Sequence, residues 1–320
     1  SSAPAISAGG RYVVFQSVAT DLVSGVQGGR SQIFVYDRQR DRVSRISQNE
    51  NGVPGNGSSF APDIDETGRF IVYESTSTNL DPGFAGILPP GNTREQVYLH
   101  DRDVSETGVF GQTTNLRNWL VSFGDSAQPA VAAAREPEIS GDAQAIVFLS
   151  SADNLIPSYA DDPRQVWLRR LDVIPTASRT DPRDSVEFET DLELISVAQD
   201  GSPGKDDALD PVVNGGPTVD PYGLQIAYAS GADNLVPNDT NNTPDIFVRD
   251  FSDPNKPATT RVSVSTPRVA FGRIFFQDPD PTGFPGFAPN RPNSQPEVGD
   301  TIKLRDGVNP AVTLTFVDTR

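Results

Sequence analysis

Apolar residues in this chain come in short runs, separated by polar stretches rich in Gly, Pro, Asp and Asn. Residues 11–17, RYVVFQS, are apolar on both alternate sets, Tyr12 with Val14 and Val13 with Phe15. A strand that is apolar on both sides lies between two layers. Residues 32–37, QIFVYD, read the same way, whereas 43–47, VSRIS, alternate and predict an outer, half-solvated strand. Ahead of these, Pro4 to Ile6 predicts a short strand with its turn over 7–10. The pattern is therefore four strands in succession with no sustained 3.6-residue apolar period, and almost no helix is expected.

The same pattern returns three times. With Val13, Ile71, Ile146 and Ile226 aligned, a proline stands nine residues before each: Pro4, Pro62, Pro137 and Pro217. A β-branched residue stands seven before (Ile6, Ile64, Ile139, Val219) and an aromatic two after (Phe15, Tyr73, Phe148, Tyr228). A serine follows four after (Ser17, Ser75, Ser150, Ser230), then an Asx–Leu pair beginning at Asp21, Asn79, Asn154 and Asn234. A fixed internal period marks a repeat architecture. The repeats are read as about 1–57, 58–132, 133–212 and 213–266, with 267–320 as a C-terminal β extension or degenerate fifth unit. Extra residues within 82–95, 104–117 and 172–190 fall between predicted strands, as loops on a fixed scaffold do.

Composition narrows the class. Gly and Pro number 27 and 28 and are spread as punctuation, which fits turns of an all-β chain. There is no Cys, which removes disulfides and thiolate metal sites, and no Met, which suggests a processed or excised product such as one that has lost a signal peptide. The net charge of −17 repels phosphate backbones and anionic lipid, so neither nucleic-acid nor membrane-surface binding is expected. Apolar windows such as 145–149 are too short to span a bilayer.

The segments 4–17 (PAISAGGRYVVFQS), 62–75 (PDIDETGRFIVYES) and 245–250 (DIFVRD) resemble the TolB-like, or PD40, class of β-propeller repeats, in their secreted bacterial form. The resemblance covers about residues 1–265 and implies an all-β propeller of four-stranded blades. It carries no activity, because propellers host many unrelated functions. A lone four-stranded unit cannot bury two apolar faces, so the units are expected to stack face to face.

Candidate chemistry is sparse. Asp239, Asn241 and Asp245 place oxygen ligands at alternate positions ahead of a strand, which suits Ca²⁺; the competing reading is a loop of Asx turns. The Asx column reads as a turn cap with its Leu packed inward, and the serine column as a strand end bonding its loop. His100, the single histidine, falls at an ordinary third-strand position beside Tyr36, Arg169 and Arg249 in the alignment. Trp119 and Trp167 read as core, and no Ser lies in a G-x-S-x-G elbow. Acid pairs such as Asp161-Asp162 and Asp206-Asp207 could serve glycoside hydrolysis only if the fold set two carboxylates opposite one another.

The expected function is a non-catalytic extracellular or periplasmic scaffold that binds protein partners, including copies of itself through blade faces or the terminal strand, as in a surface assembly or filament. The alternatives are a polysaccharide-binding module, aided by Ca²⁺, and a hydrolase with loop carboxylates.

Overall fold

The computed structural model describes residues 1–263 except 26–27, 85, 89–92, 113–114, 125, 160–162, 179–184, 215–222, 242 and 254–255. Beyond residue 263 it describes the strands over 275–277, 301–304 and 312–315. The chain divides into two compact units, Ser1–Ser263 and Val264–Arg320.

The first unit is a β-propeller of four four-stranded antiparallel blades, each in sequence order from the inner to the outer strand. Blade 1 holds β1 (Ser2–Ile6), β2 (Tyr12–Ser17), β3 (Gln32–Asp37) and β4 (Arg42–Arg45). Blade 2 holds β5 (Ser59–Ile64), β6 (Phe70–Ser75), β7 (Gln96–Asp101) and β8 (Arg117–Leu120). Blade 3 holds β9 (Ala134–Ile139), β10 (Ala145–Ser150), β11 (Gln165–Val173) and β12 (Val186–Leu194). Blade 4 holds β13 (Ala208–Val213), β14 (Gln225–Ser230), β15 (Asp245–Asp250) and β16 (Ala258–Arg261). Among the described residues the helical turns are three short 3-10 segments, at Pro82–Phe84, Pro157–Tyr159 and Thr176–Ser178. The second unit contains a three-stranded sheet of β17 (Phe275–Gln277), β18 (Thr301–Leu304) and β19 (Val312–Thr315). The rest of the expected C-terminal β extension, 268–273 included, lies outside the described residues.

Two-sided strands make three apolar seams. Ile71, Tyr73 and Tyr98 of blade 2 pack on Val14, Val35 and Ile46 of blade 1. Ile146, Phe148 and Trp167 of blade 3 pack on Val72, Leu99 and Val121 of blade 2. Ile226, Tyr228 and Phe247 of blade 4 pack on Val147, Leu168 and Ile195 of blade 3. The aligned column Ile71, Ile146, Ile226 is thus the leading face of its blade, turned to the blade before, and the alternate residues form the trailing face.

Two expectations are corrected. The first strand of blade 4 is β13, so the residue opposite Ile226 is Val213, and the inner proline is Pro211. Pro217 and Val219 lie outside the described residues, and the boundary expected between 212 and 213 falls inside β13. The physical reason is the link between blades. Its first proline sits five residues ahead of the next inner strand's Ser59, Ala134 or Ala208 in every case, from Pro54, Pro129 and Pro203. That link is fixed in length, so the six extra residues of repeat four are placed between β13 and β14. The second correction concerns 172–190: Leu171 pairs with Phe188 and Val173 with Val186, which extends the β11–β12 hairpin where a polar loop was expected. The alternation of residues 186–194, VEFETDLEL, carried that signal.

Candidate functional site

The two most regular polar columns are structural fasteners. Ser17, Ser75, Ser150 and Ser230 are buried, and each Oγ accepts from the backbone N–H two residues on, at 3.0–3.1 Å. The Asn column does more than cap its own turn. Asn79 donates to the carbonyl of Pro54 at 3.0 Å and accepts from the N–H of Asn56 at 2.9 Å. Asn154 does the same with Pro129 and Val131, and Asn234 with Pro203 and Lys205. Each asparagine therefore clamps the link that leaves the preceding blade. A second column reinforces it: Gln32, Gln96 and Gln165 donate to the carbonyls of Gly57, Ala130 and Gly204 in that same link. Their other ends accept from Ser47, Ser122 and Ser196, whose oxygens take the N–H of Ile33, Val97 and Val166. Blade 4 has Asp245 at the Gln position, and an acceptor-only carboxylate cannot make the donation.

Along the row of inner strands lies a funnel of about 500 Å³, lined by all four. Each inner strand enters it through a residue with positive φ before a proline, at Ala3, Ala61, Glu136 and Asp210. This bulge turns a backbone N–H toward the blade before: Ala61 donates to Gln16 Oε1 and Glu136 to Glu74 Oε2. Carboxylates gather here. Asp63 and Glu138 hydrogen-bond across the seam of blades 2 and 3. Burial pushes both carboxyls up, Glu138 to about 8, and burial likewise pushes Glu74 to about 7. A pair in direct hydrogen-bond contact shares a proton and leaves no room for a glycosidic bond between its members, whose separation in glycosidases is about 5 Å or more.

The remaining sequence candidates resolve individually. Asp239, Asn241 and Asp245 do come together, but around a guanidinium. Arg261 Nη1 lies 2.7 Å from Asp239 and 3.2 Å from Asp245, and Asn241 turns its amide N–H to Asp245 at 2.9 Å. Hydrogen bonds from Ser263 first, then from Asn241 and Arg261, hold the Asp245 carboxyl below its usual range. In this structure the positive charge facing these oxygens is that of Arg261. His100 is sealed in the seam of blades 1 and 2, with Nδ1 3.1 Å from Asn118 Oδ1, and burial lowers its pKa to about 4. Trp119 and Trp167 are both buried. Asp207 is engaged by Arg164, and Asp161-Asp162 lie outside the described residues. Among the described residues no three His, Cys, Asp or Glu side chains form a metal-holding group, and no helix is long and apolar enough to cross a membrane.

No family model matches the chain, and no curated protein matches its sequence. Solved structures do. TolB from Acinetobacter baumannii is 11% identical with a TM-score of 0.39, the match covering 81% of this chain and 42% of that one. Kuenenia stuttgartiensis hydrazine synthase is 10% identical with a TM-score of 0.45, covering 82% and 32%. The β-propeller domain of the Trilobed protease from Pyrococcus furiosus is 9% identical with a TM-score of 0.39, covering 99% and 71%. The chain spans less than half of the length of the first two. At these identities and TM-scores none of them bears on what this chain does.

Proposed function

We propose that this chain is a non-catalytic scaffold, extracellular or periplasmic, that joins protein partners and further copies of itself through the two end faces of its row of blades. The setting follows from the sequence resemblance. The contact follows from one observation, the change in burial at the ends of the row. Ile64 and Ile139, on the leading faces of blades 2 and 3, are 7% and 5% exposed, whereas Ile6 of blade 1 is 57% exposed. On the trailing faces Ile46, Val121 and Ile195 are 2% exposed or less, whereas Val262 of blade 4 is 50% exposed. Leu80, Leu155 and Leu235 are buried beside their asparagines, while Leu22 beside Asp21 is only half-buried.

The two open surfaces are the two halves of the seam that recurs three times inside the unit, so the trailing face of one copy suits the leading face of the next. Such a head-to-tail contact closes into a ring or runs on as a filament, according to its rotation. Sedimentation velocity over a concentration series tests this. Self-association is expected in the wild type, and Ile6→Glu or Val262→Glu alone abolishes chain growth. Mixing the two variants leaves one intact face on each partner and gives a heterodimer that stops there. A chain that stays monomeric at every concentration overturns the proposal.

A further inference from the structure

The insertion between β7 and β8 builds a feature that the scaffold role does not use. Residues 102–112 leave blade 2 and fold back over the rim of blade 1, where the Phe110 ring lies 5.5 Å from that of Tyr12. Beneath them sits Arg102, 3% exposed. Its guanidinium stacks on Tyr12 at 4.3 Å and on Phe110 at 5.3 Å, and donates from Nη1 to the carbonyl of Gly68. Its Nε has no hydrogen-bond partner. The equivalent position carries Arg38 in blade 1, Leu171 in blade 3 and Phe251 in blade 4, so the scaffold does not require a cation there.

Arg102 lines a small cleft of about 30 Å³ together with Arg40, Arg42, Ser44 and Asp37. Asp37 is already matched, because Arg11 grips both of its oxygens at 3.1 and 2.9 Å. Arg40 stands at 3.9 Å from it, too far for a hydrogen bond. Asp65, the other carboxylate near Arg102, turns its oxygens to Thr67 and to the N–H of Phe70. Three arginines thus line one cleft beside a single carboxylate, Asp37, which is bonded by Arg11 and only loosely paired with Arg40, in a chain whose net charge is −17. A buried cation lacking an anionic partner is costly, and a bound anion relieves that cost.

We propose that this cleft binds a tetrahedral oxyanion, phosphate or sulfate, between Arg40, Arg42 and Arg102, with the Ser44 hydroxyl as a further donor. A divalent charge meets the surplus of three guanidiniums, and guanidinium N–H groups match oxyanion geometry. Thermal melts and titration calorimetry of the full chain with sodium phosphate, sodium sulfate, O-phosphoserine and acetate, each against chloride at matched ionic strength, test it. Saturable binding of phosphate or sulfate is expected, weakened about tenfold or more in Arg40→Ala/Arg42→Ala, each protein's response being read against its own melt in chloride. Arg102→Met, which keeps the aliphatic stem, loses the response as well. Tighter binding of O-phosphoserine assigns the site to an esterified phosphate, and tighter binding of the inorganic ion to the free anion. Equal responses in wild type and the double variant reduce the effect to the general stabilisation that such salts give any fold, and overturn the site. A response to acetate alone overturns the tetrahedral assignment.

Discussion

Asn154 donates its side-chain amide to the carbonyl of Pro129 at 2.9 Å, and its oxygen accepts from the N–H of Val131 at 2.9 Å. The two partners belong to different blades, 25 residues apart. One planar side chain thereby satisfies a donor and an acceptor of a link that no strand pairs with fully. The link also runs close: a Cβ on Gly124, at its start, would collide with the carbonyl of Asn154.

Replacing the amide by a carboxylate is the sharpest test of this contact. Asn154→Asp keeps the acceptor for Val131 but sets an oxygen against the carbonyl of Pro129. A loss of about 1–3 kcal/mol is expected in urea denaturation, since a buried carbonyl loses its donor. Asp21→Asn, at the equivalent exposed position of blade 1, leaves the melt of the isolated chain unchanged. If the two substitutions behave alike, the asparagine is a local turn cap after all.

Gly68 and Gly10 occupy the same place in their repeats, with φ of 80° and 65°. They differ in surroundings. A Cβ on Gly68 would enter the ring of Tyr12, whereas one on Gly10 meets the end of Arg38 at 3.5 Å and of Ile6 at 4.0 Å, both ordinary contacts. Gly10→Ala is expected to cost about 1 kcal/mol for the left-handed backbone alone. Gly68→Ala costs that and the displacement of Tyr12, about 1–3 kcal/mol more. Equal effects in paired denaturation curves would show that the collision is relieved without cost.

As pH rises from about 4.5 to 8 the seam of blades 2 and 3 should weaken. Glu138 and Glu74 titrate at about 8 and 7 in the folded chain, above the ordinary 4.5 of a glutamate, so the folded state holds protons that the unfolded state has released. Their contribution is complete below pH 4.5 and is lost as pH rises through 7 to 8. The melting temperature is expected to fall across that interval, and Glu138→Gln to flatten the decline. A slope untouched by Glu138→Gln would place the effect elsewhere.

His100 gives the opposite limb. Its folded pKa of about 4 lies below the ordinary 6.5, so the unfolded chain takes the proton first and stability falls as pH drops from 6.5 toward 4. The neutral ring donates from Nδ1 to Asn118 Oδ1, which also accepts from the Tyr73 hydroxyl at 2.8 Å. Because there is one histidine, its imidazole NMR signals are unambiguous. They should stay in the neutral form at about pH 5.5. Titration near 6.5 would mean that the ring is open to water.

The blades were legible in the sequence because the hairpin of the first two strands is rigid in length; Val13, Ile71 and Ile146 each stand opposite the expected Ile6, Ile64 and Ile139. Repeat four misled because a second proline, Pro217, happens to stand nine residues before Ile226 while the inner strand ends at Val213. Local spacing could not distinguish them; the constant link from Pro203 to Ala208 could, once its clamp to Asn234 was known. The Gln–Ser columns were hidden because their separations vary from 15 to 31 residues with the insertions between them. Likewise the oxygens of Asp239 and Asp245 advertised a cation, but the partner that meets them, Arg261, arrives from another strand.

Since every fastener described reaches only to the adjoining module, the molecule behaves as a chain of links joined in series. Amide hydrogen exchange should register this as a gradient, with deuterium entering Ile6 to Phe15 and Ile246 to Val262 first and Val72 or Val147, flanked on both sides, last. Cooperativity would then be a property of the row, deepening with each module added and thinning toward whichever end lacks a neighbour.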